Sequence, residues 1–170
     1  NPNIARSLLK KEGYCQTDIL TIPLTFRSNV PADKLLALTW KDQIKRDLSD
    51  CIEITLNGVE STTVYKQLSE GAFDAVILDW TGAYPDPEAY LTPLLSCNEI
   101  KKNTCLKGES VFSGSFWGND KVQEILLESE QLEGVSRLKN LIKVEKLAAQ
   151  GSAYLPVWLV NPKACSLKDI

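Results

Sequence analysis

The sequence contains no histidine and no methionine among its 170 residues. Without histidine, Ser-His-Asp and Cys-His catalysis, HExxH zinc sites and most transition-metal sites are excluded. A phosphate-binding loop is also missing, because the nine glycines are isolated and no Gly-Lys-Ser/Thr run occurs. We therefore expect no metal site, no cofactor and no catalytic residue.

Long apolar runs and a strong charge of either sign are lacking too. No run approaches the roughly 18 apolar residues of a membrane-spanning helix, and no signal-peptide pattern is present. The net charge of −3 gives no electrostatic reason to expect nucleic acid as a partner. Because methionine is absent, we expect a processed product or a piece excised from a longer protein.

The cysteines contain no CxxC pair, which argues against a zinc ribbon and a thioredoxin-type redox site. Only Cys97 and Cys105 are near enough in sequence to close a short disulfide loop, and the alternative is that all the cysteines are unpaired thiols. An odd count leaves at least one thiol unpaired within the chain. The five cysteines are Cys15, Cys51, Cys97, Cys105 and Cys165.

The spacing of apolar residues predicts alternating helices and strands in the first half of the chain. Pro23 favours an edge or bulged position for the first strand. The nearly continuous apolar run over 73–78 is typical of a strand covered on both faces, so we place it centrally in the sheet. The other predicted elements are helices over 5–14, 31–48 and 61–70, the last capped by Ser61 or Thr62, and strands over 20–26 and 52–56, the second ending at the turn Asn57-Gly58.

In the second half, a helix over 87–95 is followed by a long loop over 96–119 in which no period emerges. Trp117 lies in this loop, where it either packs the loop down or contacts a ligand, and we favour packing. Helices over 120–129 and 133–150 and a strand over 154–160 complete the chain. The alternation predicts an α/β fold with a parallel or mixed sheet flanked by helices.

The segment over 79–87 is the best candidate for a functional site. It follows the predicted central strand, and open α/β sheets bind ligands at the carboxyl ends of their strands. Trp80 and Tyr84 offer rigid aromatic surface, while Thr81 and Gly82 could expose backbone amides. The alternative is a proline-rich turn whose aromatic residues simply cover the end of the sheet.

Two carboxylates in this segment allow an enzymatic alternative. Asp79 and Asp86 could form the carboxylate pair of a small α/β hydrolase, in which the two groups lie about 5–10 Å apart. Seven residues of loop permit that distance without imposing it. We instead expect Asp86 to cap the following helix, with Pro87 at its first position.

The order of these signals resembles the C-terminal lobe of family 5 solute-binding proteins, the dipeptide, oligopeptide and nickel binders of ABC importers. Four segments carry the resemblance, and their order and separations agree over almost the whole chain. They are the helix over 5–14, the run 71–74 leading to Asp79-Trp80, the Tyr-Pro-Asp-Pro run at 84–87 with Tyr90-Leu91, and Arg137 followed by Leu-Pro-Val-Trp at 155–158.

This resemblance implies a periplasmic-binding-protein fold of type II, in which two lobes close about a hinge on a solute or peptide ligand. Residues 1–170 would form one lobe, a fragment of the two-lobe protein. Its partners would be the ligand, the N-terminal lobe of the same chain and an ABC-transporter permease. The implied location is the periplasm or cell envelope, and the implied role is binding for import rather than catalysis.

The resemblance also implies which residues contact the ligand. In dipeptide and oligopeptide binders an aspartate in this loop pairs with the ligand's ammonium group, and the matching position here is Ala83. Either Asp79 or Asp86 takes that role, or the ligand lacks a free amine. A cysteine pair in relatives resembles Cys97 and Cys105, which implies a disulfide and an oxidising compartment. The implied ligand-binding residues are Asp79, Trp80, Thr81, Gly82, Ala83 and Tyr84.

Overall fold

The computed structural model describes residues 1–159 and is a mixed α/β structure. Its elements fall into a sheet region (residues 2–78) and a helical region (residues 88–154), joined by the segment 79–87. The sheet region contains α1 (Pro2–Lys11), β1 (Leu20–Arg27), α2 (Pro31–Leu48), β2 (Ile52–Val59), α3 (Ser61–Gln67) with a 3₁₀ turn (Leu68–Glu70), and β3 (Ala75–Val76). The helical region contains α4 (Glu88–Leu95), β4 (Glu99–Lys101), β5 (Thr104–Lys107), α5 (Glu109–Phe112), α6 (Asp120–Glu130) and α7 (Gly134–Gln150).

The sheet region is built on a parallel sheet of three strands in the order β2-β1-β3. Each parallel connection needs a crossover, and α2 supplies the one between β1 and β2. Alternate residues of β1 face α2 and bury the core residues Leu24 and Phe26 against Ala37 and Ile54. The helix predicted over 31–48 and the α/β class are therefore confirmed.

The prediction that Pro23 places its strand at a sheet edge or in a bulge is wrong, because β1 is the central strand and pairs with β2 without a register shift. The amide of Leu20 donates to Cys51 on the β2 side, whereas the carbonyl of Thr25 accepts from Ile77 on the β3 side. The alternation along a strand puts Pro23 on the β3 side, and pairing with β3 starts only at Leu24. Pro23 has no backbone N–H to donate, and it lies at a position where β3 does not yet require a hydrogen bond.

The apolar run over 73–78 is likewise not a central strand. Only Ala75 and Val76 are in β3, which lies at the edge of the sheet, and the amide of Ile77 adds one further bond to Thr25. A continuous apolar run indicates that both faces of a strand are covered. It carries no information about whether the strand has one neighbour or two.

Strand β2 passes through the predicted Asn57-Gly58 turn and ends at Val59. Gly58 pairs with Phe26, and a Cβ atom at this glycine would lie 3.0 Å from the Phe26 ring. The glycine therefore makes room for a core side chain instead of forming a turn. The cap of α3 is Glu60, whose carboxylate accepts from the amide of Thr62 at 2.8 Å, and not Ser61 or Thr62.

The predicted loop over 96–119 contains a hairpin of β4 and β5 and the short helix α5. Lys102 and Asn103 form its two-residue turn with φ of 50° and 64°, the conformation that twists with the flanking strands. The disulfide implied by the resemblance joins Cys97 to Cys105. Strands of three and four residues are too short to show a period in the sequence.

The helical region has its own core, formed where α4, α6 and α7 meet. Trp117 packs against this core, and a Cβ atom on Gly151 would lie 2.6 Å from the Trp117 ring, so packing is its role in the structure. On α7, Leu141 and Val144 are buried while Val135 is exposed. The buried members of the core are Leu95, Val122, Ile125, Leu126, Leu141 and Val144.

The predicted strand over 154–160 and the fifth cysteine lie at the end of the chain. Residues 154–159 form no strand, because they make no ladder hydrogen bonds with another part of residues 1–159. Val160 and Cys165 lie outside the described residues.

A second disulfide, between Cys15 and Cys51, ties the segment after α1 to the start of β2. No helix within residues 1–159 is long and apolar enough to cross a membrane.

Candidate ligand-binding site

The segment over 79–87, called the site loop below, leaves the carboxyl edge of the parallel sheet directly after β3. It contains no helix or strand, as its two prolines predict. Its first residue, Asp79, lies beside the last residue of β1, Arg27. The loop therefore lies at the edge where open α/β sheets bind their ligands.

The start of the site loop is held by a buried arginine. Arg27 donates to both oxygens of Asp33, at 2.6 and 3.0 Å, and both side chains are only 6% exposed. The same guanidinium donates to Asp79 and, at 2.8 Å, to the hydroxyl of Tyr65. Tyr65 in turn donates to Asp79 at 2.6 Å. One cation thus serves two carboxylates, one buried and one exposed.

These contacts keep Asp79 ionised. The Tyr65 hydroxyl and the Arg27 guanidinium both stabilise the carboxylate and lower the pKa of Asp79 below its ordinary value of 3.8, against a smaller opposing effect of desolvation. Burial and the hydrogen bond to Asp79 raise the pKa of the Tyr65 hydroxyl. The hydrogen bond to Asp33 raises the pKa of Arg27, so the guanidinium stays charged.

The end of the site loop is held by Arg137 of α7. This side chain makes a bidentate pair with Asp86, at 2.8 and 2.9 Å, and also bonds Glu88 in the first turn of α4. Asp86 also accepts from the amide of Glu88 at 2.8 Å, but the helix begins at Glu88 with Pro87 at the N-cap, so Asp86 lies one residue before the cap position predicted for it. The Arg137 contact lowers the pKa of Asp86.

Between its two anchors the loop exposes aromatic surface around an open depression. Tyr84 and Tyr90 line the depression together with Gly82, Ala83 and the segment 85–87. Trp80 precedes it and is 45% exposed. The indole N–H of Trp80 donates to the Ala89 carbonyl at 3.1 Å, so the polar group of this side chain is satisfied within the protein and its ring is left as apolar surface.

Gly82 is required for the shape of the depression. A Cβ atom at this position would lie 2.7 Å from Cε2 of Tyr90 and 3.2 Å from Cβ of Ala89. Separations below 3.0 Å are not tolerated without movement, so a larger residue would displace the Tyr90 ring. The absence of a side chain at Gly82 lets α4 pack its tyrosine directly against the loop backbone.

The structure places the two carboxylates of the hydrolase hypothesis in separate ion pairs. Asp79 is bonded to Arg27 of the sheet region, and Asp86 is bonded to Arg137 of the helical region. A general acid needs a raised pKa, whereas the pKa of each of these groups is lowered. The geometry therefore gives Asp79 and Asp86 anchoring roles, and no group of His, Cys, Asp and Glu within residues 1–159 could hold a metal ion.

Sequence reasoning missed the residues that hold the loop. Arg27, Asp33 and Tyr65 come from three different elements, and nothing in their local sequence indicates that they meet. The available signal for Arg27 was a charged residue at the end of a strand that contains no other charge. Tyr90 was part of the resemblance without an assigned role, and so was Arg137.

Comparison with known proteins identifies a family for the chain. A model described as bacterial extracellular solute-binding proteins, family 5 Middle, matches residues 1–102. Di/tripeptide-binding protein 4 of Pseudomonas aeruginosa (strain UCBPP-PA14) is 31% identical over 102 residues, which are 57% of this chain and 18% of that protein.

Solved structures share the fold. The murein tripeptide-binding protein MppA of Escherichia coli matches 89% of this chain and 27% of its own, with a TM-score of 0.73 and 21% identity. OppA of Haemophilus influenzae, in complex with the peptide RPPGFSPFR, matches 88% of this chain and 27% of its own, with a TM-score of 0.73 and 18% identity.

OppA of Burkholderia pseudomallei matches 86% of this chain and 26% of its own, with a TM-score of 0.72 and 24% identity. The chain therefore spans between a fifth and a third of the length of these solved relatives, and the likeness confirms the periplasmic-binding-protein fold. Because the family model covers more than half of its residues, the chain belongs to the family 5 bacterial extracellular solute-binding proteins.

Proposed function

We propose that residues 1–170 form one ligand-binding lobe of a solute-binding protein that captures peptides for import by an ABC transporter. The lobe acts by binding and not by catalysis. Its ligand lies against the site loop, in a cleft completed by the N-terminal lobe of the longer chain. The loaded protein then docks on a permease in the membrane.

The observation that carries this proposal is the site loop itself. Both ends of the loop are fixed by ion pairs, and between them Trp80 and Tyr84 are about half exposed at the carboxyl edge of the sheet. Fixed aromatic surface loses little side-chain entropy when it binds a ligand. The relatives support a peptide as the ligand, since one carries the name di/tripeptide-binding protein and OppA was solved with a bound peptide.

An extracytoplasmic location is part of the proposal. The two disulfides, Cys15–Cys51 and Cys97–Cys105, support it because disulfides persist in oxidising compartments. Cys97 and Cys105 are both buried, so a reductant in solution would have poor access to the disulfide between them.

The test uses the full-length protein that contains this chain, purified without denaturation. Tripeptide mixtures are screened by thermal shift, and calorimetry then gives affinities for the wild type and for Trp80→Ala. We expect Trp80→Ala to weaken binding by about tenfold or more, since a buried aromatic anchor is worth a few kcal/mol. The melting temperature without ligand should fall only slightly.

Two variants serve as controls. Trp80→Phe keeps the aromatic ring but loses the hydrogen bond to Ala89, so it should retain most of the affinity. Trp158→Ala removes a tryptophan of similar exposure outside the site loop, 53% against 45% for Trp80, and should leave affinity unchanged. Equal affinities for the wild type and Trp80→Ala would contradict the assignment of the loop, and failure of every peptide to bind would contradict the peptide as ligand.

A further inference from the structure

The depression in the site loop carries no charge that is free to meet a charged ligand group. Its single charged lining residue is Asp86, and both oxygens of that carboxylate accept from Arg137, at 2.8 and 2.9 Å. One oxygen also accepts from the amide of Glu88. The guanidinium is likewise consumed, because it bonds Glu88 as well. This cluster is therefore internally satisfied before any ligand arrives.

The other carboxylate of the loop lies outside the depression. Asp79 is not among the lining residues, and one of its oxygens accepts from both Arg27 and Tyr65. An ammonium group approaching this carboxylate would also approach the Arg27 guanidinium, and like charges repel. Asp79 is thus a poorer partner for a cation than its exposure alone indicates.

The groups that the depression presents to a ligand are uncharged. The rings of Tyr84 and Tyr90, 51% and 39% exposed, form its walls with two prolines, and Gly82 brings the Tyr90 ring against the loop backbone. Among the described residues neither tyrosine hydroxyl has a hydrogen-bond partner, so both can bond to an amide. Aromatic rings with polar tips suit an uncharged peptide segment with its amide groups and apolar side chains.

We propose that the site loop contacts an uncharged segment of its peptide ligand, and that a free terminal ammonium contributes nothing at this surface. This inference rests on the proposed function and names the ligand chemistry of the same site. Ala83 is the position at which this inference can be tested. It is exposed and lines the depression, and the lining residues include no cation that could neutralise a carboxylate placed there.

The test compares two tripeptide mixtures of identical side-chain composition, one with free amino termini and one with acetylated amino termini. Full-length protein is equilibrated with both together, and the bound peptides are quantified by mass spectrometry and calorimetry. We expect a ratio of affinities, free to acetylated, within about threefold of one. In Ala83→Asp the ratio should rise by about tenfold or more, because an unneutralised carboxylate then faces the ammonium.

Further variants separate the ways in which the inference can fail. Ala83→Asn, which adds the same volume without charge, should leave the ratio near one. A wild type that prefers free amines by tenfold, with the preference lost in Asp79→Asn, would overturn the inference by making Asp79 the ammonium partner, while the proposed function would stand. Binding of neither mixture would instead contradict the proposed peptide ligand itself.

Discussion

The sheet region and the helical region hold the two ends of the site loop in different ways. In the sheet region the anchor is Arg27, whose side chain is 6% exposed, and it faces the buried Asp33. In the helical region the anchor is Arg137, which is 22% exposed and faces Asp86, itself 30% exposed. A buried charge is costly to leave unpaired, whereas a charge near the surface can be hydrated. Arg27 is therefore tied to the fold more tightly than Arg137, although the loop carboxylate it holds, Asp79, is more exposed than Asp86.

The largest effect is expected from Arg27→Met. This change leaves Asp33 buried without a cation and leaves Asp79 with Tyr65 as its remaining partner. Breaking a buried ion pair on one side costs about 3–5 kcal/mol. Urea unfolding of the full-length protein measures the loss. The double variant Arg27→Met/Asp33→Leu removes the buried carboxylate too, so it should recover part of the stability. A double variant no more stable than the single one would show that packing, not the unpaired charge, is responsible.

The second prediction compares how much stability each region loses when its disulfide is removed. Cys15–Cys51 closes a loop of 36 residues in the sheet region, and Cys97–Cys105 closes one of 8 residues in the helical region. Chain entropy gives about 4 kcal/mol for the longer loop and about 2.5 kcal/mol for the shorter one. Paired Cys→Ser variants measured by urea unfolding should fall in that order. The reverse order would show that the hairpin depends on its disulfide for more than chain entropy.

A smaller effect is expected from Arg137→Met. The fall in melting temperature should be clearly less than that of Arg27→Met, because Asp86 and Glu88 can be hydrated when their partner is lost. The readout is thermal unfolding of both variants in the same buffer, with Lys146→Met as a control for removing a cation from the exposed part of α7. Equal losses for the two arginine variants would contradict the difference between the anchors.

The smallest expected effect is on the way the free energy of unfolding changes at acidic pH. Since the pKa values of Asp79 and Asp86 are lowered in the folded state, each contributes stability that is present above the unfolded value of about 3.9 and is lost as pH falls through the folded value. The unfolding free energy should therefore decline below about pH 4. Asp79→Asn should flatten this decline, while Asp42→Asn, which removes an exposed carboxylate outside both anchors, should not. An unchanged slope in Asp79→Asn would contradict the role of its ion pairs.

The sequence predicted most where local periodicity and fold agree. The helix over 31–48 was placed correctly because its apolar residues recur at helical spacing against the sheet. The predicted central position of the run 73–78 was wrong. A continuous apolar run indicates that both faces of a strand are covered, but it does not indicate how many neighbouring strands it has. The hairpin over 99–107 was not predicted, because its strands are too short to show an apolar period in the sequence.

The candidate site divides in the same way. The site loop could be located from its prolines and aromatic residues, which are contiguous in the sequence. Its anchors could not be found, because Arg27 is 52 residues from Asp79 and Arg137 is 51 residues from Asp86, the loop carboxylates that they bind. Contacts at such separation follow from the tertiary fold, and a single sequence does not encode them in any local pattern.

The central claim is that the site loop is where the ligand binds. Hydrogen–deuterium exchange of the full-length protein, with and without a saturating tripeptide mixture, tests it most directly. We predict slower exchange at the amides of residues 81–84 when ligand is bound, with little change in α6 or in the buried part of α7. Ligand binding that leaves exchange in the site loop unchanged, while protecting another surface of residues 1–159, would contradict the account.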